Sequence, residues 1–316
     1  MIGGLALALV WLVELQGTNA EPPLQCVRGA TGVIATSLTF SPDGSRMATA
    51  DLRGGVVLRG VASRWEAIEH LDFPGIARAT AFSPDGRFLA AGGAARNVRL
   101  WELEAGRSPL SRDLPIRGCK ALAFAPDGGT LAATTDPGVD IVLWDLAAHR
   151  PRRVLRGRFQ ALSLAFSPDG RSLVSGEVEE KSIAIWDLPT GRRQEVNRES
   201  GGPIASVAIS PDGTLCAAAC PWESPVQLWD LRTGRRVRVL EGHTIGTNAV
   251  AFSPDGRMIA TAGSDSFVRL WTVANGELRA RLNGQGLCLT HLAIAPQGDL
   301  IAATGFDNDI RLWAVR

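Results

Sequence analysis

The 316-residue chain has no tyrosine, and only two of its 33 basic residues, Lys120 and Lys181, are lysine. With 32 acidic residues the net charge is +1 at pH 7. That balance excludes a nucleic-acid binder that works through overall charge. The preference for arginine is a compositional bias without functional content. Cysteines are few and odd in number: Cys26, Cys119, Cys216, Cys220 and Cys288. None stands in CxxC or CxxC…HxxxH spacing, so neither a zinc site nor a disulfide framework is indicated, and all five read as small apolar strand residues. The four histidines, His70, His149, His243 and His291, lack metal-ligand spacing such as H-E-x-x-H. No G-x-S-x-G elbow and no Walker-type phosphate loop is present. Together these absences leave no catalytic residues, no metal and no cofactor to name.

Long hydrophobic runs are missing as well. Ile2–Val13 is an apolar stretch of twelve residues ended by Glu14, too short to span a bilayer. It fits the core of an export signal, with Thr18-Asn19-Ala20 offering small residues before a cut at Glu21, although no Lys or Arg precedes it. An uncleaved anchor, or the tail of a longer membrane helix that begins upstream, fits too. Residues 1–20 are therefore expected to be a signal peptide or a membrane tether. The protein is expected to be exported or membrane-associated, and cytoplasmic otherwise.

What the chain has in quantity is repetition. Apolar residues make up 45% of it, and much of that material recurs in one phrase. Residues 250–271 read VAFSPDGRMIATAGSDSFVRLW, and close copies begin at Ala81 and Ala165. The proline of each S/A-P-D/Q-G turn falls at Pro42, Pro84, Pro126, Pro168, Pro211, Pro254 and Pro296, at intervals of 42 or 43 residues. A tryptophan follows 17 or 18 residues later, at Trp101, Trp144, Trp186, Trp229, Trp271 and Trp313, with Arg59 in that slot in the first repeat. Within each unit four short apolar runs are separated by turn residues every eight to twelve positions, which predicts antiparallel strands. A lone four-stranded sheet cannot bury both faces, whereas sheets stacked round an axis can. The fold class is all-β, a seven-bladed β-propeller over 21–316. The last repeat stops after its third strand, and Leu24–Gly29 resembles the fourth-strand phrase Arg238–Gly242. The N-terminal strand is thus expected to complete the last blade.

Trp-Asp stands at Trp144-Asp145, Trp186-Asp187 and Trp229-Asp230, Trp101-Glu102 is close to it, and Gly-His occurs at Gly242-His243. In these residues the units resemble the WD-repeat family. The resemblance implies a buried chain of hydrogen bonds through His243, Thr261, Asp265 and Trp271, complete only in the sixth repeat. The seventh keeps Asp307 and Trp313 with Gln285 in the His slot. Elsewhere the Asp slot holds Arg53, Ala95, Gly138, Glu180 and Glu223. A buried neutral hydrogen bond nets about 1 kcal/mol, while a Trp burying roughly 150–250 Å² contributes about 4–6 kcal/mol at ~25 cal/mol per Å². The Trp ladder is therefore expected to hold the blades, with blade one, which has Arg59, the softest. Seven copies of the SPDG aspartate point to turn structure, and the Arg clusters at Ala148–Arg158 and Leu231–His243 to charged outer strands that block edge pairing.

The resemblance further implies a non-enzymatic scaffold that holds a protein or peptide partner on the face of the second-to-third strand turns. Read around the ring, the position before the Asp slot gives Leu52, Ala94, Pro137, Glu179, Trp222, Ser264 and Phe306. Trp222 and Phe306 are the aromatic anchors of that set. Arg53 and Arg96 on blades one and two face Glu177, Glu179, Glu180 and Glu223 on blades four and five, which suggests a dipolar docking face. Folding of Trp222 back onto its own blade, beside Pro221 and Pro225, is the competing arrangement. No polar residues converge on the channel in this reading. A monomeric ring is expected, without nucleic acid or small-molecule cofactor. The alternative is a sensor or scaffold part of a larger signalling enzyme, such as the membrane-tethered kinases in which bacterial WD-repeat rings are found.

Overall fold

Each repeat is organised by its S/A-P-D/Q-G turn. Gly44 N–H donates to Ser41 O at 2.8 Å, and the same bond recurs at Gly86, Gly128, Gly170, Gly213, Gly256 and Gly298. All seven glycines have φ between 67° and 76°, the left-handed conformation that a side chain makes costly. The result is the tight hairpin in which a type I turn is followed by a left-handed residue. The aspartate fastens it. Ser41 Oγ–H donates to Asp43 Oδ1 at 2.6 Å, and the same oxygen accepts Ser45 N–H at 3.0 Å. The Ser–Asp bond repeats at Ser83–Asp85, Ser167–Asp169, Ser210–Asp212 and Ser253–Asp255.

The serine hydroxyl holds Asp43 down at about 2, and the equivalent serine holds Asp85, Asp169, Asp212 and Asp255 below their ordinary value. A carboxylate whose folded pKa is depressed stabilises the fold fully above its unfolded pKa of about 4 and loses that contribution as pH falls through the folded value. Thermal unfolding followed by circular dichroism is expected to weaken progressively between about pH 4 and pH 2, where these carboxylates take up protons. A melting temperature unchanged down to about pH 2 would contradict this role for the turns.

The computed structural model describes residues 24–28, 34–60, 65–95, 97–104, 106–135, 139–178, 182–197, 202–222, 225–286, 288–307 and 309–315. The signal or anchor expected in residues 1–20 lies outside them. The described residues form seven four-stranded antiparallel sheets and no helix. Blade one runs Ala35–Phe40, Arg46–Asp51, Gly55–Gly60 and Ala67–Asp72, and blades two to six repeat that order. In blade seven the strand along Asp309–Ala314 is Leu24–Arg28, with Leu24 opposite Trp313 and Arg28 opposite Asp309. The first strands of successive blades touch all the way round, blade seven reaching blade one, so they surround the axis. Burial falls outward. Second strands such as Arg46–Asp51 and Met258–Gly263 are buried along nearly their whole length, while the fourth strand of blade three, Arg150–Leu155, is exposed except at Leu155.

The core is divided into seven clusters, one between each pair of blades, and each contains one indole. Trp101, Trp144, Trp186, Trp229, Trp271 and Trp313 fill six of them and are at most 5% exposed. The seventh, between blades seven and one, corrects the expectation that blade one has only Arg59 to offer. Trp65, six residues further on, folds back with φ +67° and is buried with Leu38, Phe40, Met47 and Ile310. Its ring meets Phe40 edge-on at 5.8 Å. Arg59, itself 3% exposed, donates from Nη1 to Trp65 O at 3.2 Å. The ladder residue was therefore displaced along the chain and kept in space.

Candidate docking face and axial channel

The sixth blade assembles a continuous polar chain. An indole N–H can only donate, so Trp271 Nε1 donates to Thr261 Oγ1 at 2.9 Å. Thr261 Oγ1 meets His243 Nε2 at 2.8 Å, and Nδ1 lies 2.9 Å from Asp265 Oδ1 and 2.5 Å from Arg269 Nη1. Burial pushes the His243 pKa below its ordinary value, against the pull of Asp265. Arg269, which the sequence reading missed, donates from Nη1 to Asp265 Oδ2 at 2.8 Å with its side chain 4% exposed. Blade seven repeats this last pair as Arg311 and Asp307. The arginines stand at one position of the recurring VRLW and IRLW phrases, and that was the signal available.

Other blades solve the same problem differently. In blade four Trp186 Nε1 donates to Ser175 Oγ at 3.0 Å, and Ser175 donates to Glu177 Oε1 at 3.3 Å. Glu177 occupies the position of Gly263 in blade six, where an added Cβ would lie 2.2 Å from His243 Nδ1. The carboxylate thus enters the space that a histidine fills in blade six. Arg193 Nη2 meets it at 2.7 Å, and Glu177 is 1% exposed. This corrects the assignment of Glu177 to the acidic side of a docking face. In blade one Asp51 accepts Arg53 N–H and Gly55 N–H at 2.8 and 2.9 Å and caps its own turn. In blades three and five Ala133 and Ala218 replace the hydroxyl, and Trp144 and Trp229 Nε1 have no partner among the described residues.

The face formed by the second-to-third strand turns is partly described. Leu52 is 41% exposed, Phe306 50% and Trp222 77%, so Trp222 is not folded away. Its ring leans on Gly202, where a Cβ would meet Cε3 at 2.6 Å, and presents the rest to solvent. Ile245, 56% exposed, was overlooked. The adjoining Gly246 packs on Pro221 O, which sets Ile245 beside the Trp222 turn. Arg53 is exposed. Arg96, Pro137, Glu179, Glu180 and Glu223 lie outside the described residues, and the dipolar arrangement with them. The Arg-rich fourth strands act at the rim. Arg153 Nη1 donates to Leu188 O at 2.6 Å and Arg238 Nη2 to Ala274 O at 2.8 Å, each clasping a turn of the next blade.

The axial cavity, about 380 Å³, is lined in part by Arg78, Lys120, Asn248, Thr290 and His291, which corrects the reading that no polar residues converge on the channel. Six blades line it with the sixth residue before the turn proline, Arg78, Lys120, Leu162, Ala205, Asn248 and Thr290, and blade one, where that residue is Thr36, lines it with Ser37 and Leu38. His291 lies one residue further along its strand. Burial pushes its pKa down to about 4, so it is neutral near pH 7. Ser163 and Ser206, at the same position as His291, accept N–H bonds at 3.0 and 3.2 Å from Val207 and Val250 of the following blades. The channel wall therefore also stitches the ring.

Seven sheets round an axis, each wedged on its neighbour by an indole, define a seven-bladed β-propeller. The Trp–Thr–His–Asp chain narrows that class. The WD40 family (WD domain, G-beta repeat) matches residues 70–102, 149–187, 234–272 and 276–314, and the chain is a seven-repeat WD-repeat propeller. Repeats one, three and five are those that the family does not match. No match was found among curated proteins. WD-repeat propellers are in general protein-interaction scaffolds, and generally not catalysts.

Proposed function

We propose that this ring is a non-enzymatic platform that holds a protein or peptide partner on the face carrying Leu52, Trp222, Ile245 and Phe306. The observation that carries the reading is Trp222. A tryptophan left 77% exposed on a turn held by Gly202 and Gly246 is a costly surface unless something covers it, and such side chains dominate binding energy at interfaces. Rigid blades support the turns, so the anchor is presented with little ordering cost. Affinity capture from the native host, with mass spectrometry, tests it. The wild type is expected to retain a partner that the folded Trp222→Ala/Phe306→Ala variant loses by at least about tenfold, since an anchor of this kind contributes about 2 kcal/mol or more. Equal capture by both would move the partner site to the rim or the opposite face.

A further inference from the structure

Arg78 and Lys120 stand at one level of the axial channel on adjacent blades, and both line its cavity. No carboxylate lines it with them. Lys120 Nζ donates to Gln160 Oε1 at 2.6 Å, a neutral partner that leaves two of its three ammonium protons for other acceptors. Arg78 is exposed to the cavity and has no hydrogen bond or ion pair among the described residues. One step along the wall, Thr290 Oγ1 donates to Thr304 O at 3.3 Å and so accepts His291 Nδ1–H at 3.0 Å, which leaves Nε2 of the neutral ring an acceptor. The neighbouring polar groups are already engaged. Thr36 Oγ1 donates to Ala77 O and Asn248 Nδ2 to Leu289 O. Blades two and three thus make one basic side of the cavity, faced by Leu162 and Ala205 on blades four and five.

We propose that the axial channel binds a small multivalent oxyanion, bearing phosphate or carboxylate groups, between Arg78 and Lys120. Like charges that share a concave, low-dielectric site repel each other and focus the field on a counter-ion. An anion relieves that repulsion and reaches donors that no protein group uses. The guanidinium offers the planar fork that fits either oxyanion, and the ammonium a point charge. A cavity of about 380 Å³ is at the small end of the usual ~300–1,000 Å³ for ligand pockets. It admits a small molecule, or one side chain of a docked segment, and no folded domain. The inference does not depend on where a protein partner docks.

The test titrates the full chain with pyrophosphate and with citrate, against potassium chloride at matched ionic strength, and reads calorimetric affinity and melting temperature. Binding to the folded state alone raises stability by linkage. At least one probe is expected to raise the melting temperature beyond the chloride control. Arg78→Gln and Lys120→Gln should each weaken it by about tenfold or more, the loss of one charged hydrogen bond, while Lys120→Arg retains it. Both substitutions keep a polar side chain on a wall position that makes no core contact, and circular dichroism checks the fold. No rise with either probe, or an equal rise in the Arg78→Gln/Lys120→Gln variant, overturns the proposal. Unchanged affinity in Trp222→Ala/Phe306→Ala separates this site from the docking face. Competition between the bound probe and a captured partner identifies the anion as the partner's own acidic group, and its absence as a free small molecule.

Discussion

Replacing Trp65 by alanine is expected to destabilise the ring by about 3–5 kcal/mol, the range for a fully buried aromatic, and to match Trp186→Ala on the same scale. Trp65 is 7% exposed and seals the cluster between blades seven and one, so its removal opens a cavity where the first and last repeats meet. It also sits at φ +67°, a conformation that costs a bulky residue about 1 kcal/mol or more, and the packing of its ring, with its bonds to Gly60 and Arg59, maintains it. Once the indole is gone, ring packing no longer offsets that strain. For a domain of this size the melting temperature should fall by about 10 °C, at ~2–4 °C per kcal/mol. Denaturant unfolding of Trp65→Ala beside Trp186→Ala measures it. A loss below about 1 kcal/mol would show that the 7–1 interface does not rely on this residue.

The period of 42–43 residues was enough to read seven blades, because the turn chemistry is local. Pro42 and Gly44 impose the same backbone wherever they recur, and six tryptophans mark third strands at a constant offset. What escaped that reading depended on contacts between elements. Trp65 lies outside the ladder slot in sequence and within it in space, its N–H donating to Gly60 O at 2.7 Å. Glu177 looked like one of a row of acidic turn residues, yet it ends a second strand and points into the space that His243 occupies two blades away. Arg78 and Lys120 were legible in principle. Read at a fixed distance before each turn proline, the seven inner strands give a ring of residues, and only blades two and three carry a full charge there. Taken one repeat at a time, each residue looks like an ordinary strand position.

The docking face was legible only in part. Its turns could be placed by counting from the prolines, but exposure is a property of the folded surface. Trp222 could equally have packed on its own blade. Gly202 decides the matter by offering a flat seat without a side chain, so that the indole rests on one edge and shows the other. Ile245 belongs to the loop before blade six, about twenty residues from Trp222 in sequence, and joins it only because Gly246 allows the two loops to close. Part of the face is thus built from two blades, where Gly246 packs on Pro221 O.

Removing the Arg193 guanidinium should have the second large effect. Arg193→Ala leaves the Glu177 carboxylate, 1% exposed, without its nearest cation, and breaking a buried pair in this manner costs about 3–5 kcal/mol. The pH dependence identifies the cause. Burial raises the Glu177 pKa above its ordinary value even with Arg193 in place, and loss of the cation raises it further. A carboxyl group whose folded pKa is raised favours the folded state at pH below its unfolded pKa and loses that contribution as pH rises through the folded value. The deficit of Arg193→Ala against wild type is therefore expected to be largest near pH 8 and smaller near pH 5. Arg193 also lies over the Trp186 ring, 5.7 Å from its centroid, so truncation loses packing as well. Arg193→Met keeps most of that packing, and its deficit should retain the pH dependence. Glu177→Gln/Arg193→Met removes both charges and should recover much of the loss, since a buried pair replaced by neutral groups of similar volume is often close to neutral in stability. Urea unfolding of the four proteins at the two pH values decides the outcome: a deficit independent of pH, or no recovery in the double variant, would assign the cost to packing alone.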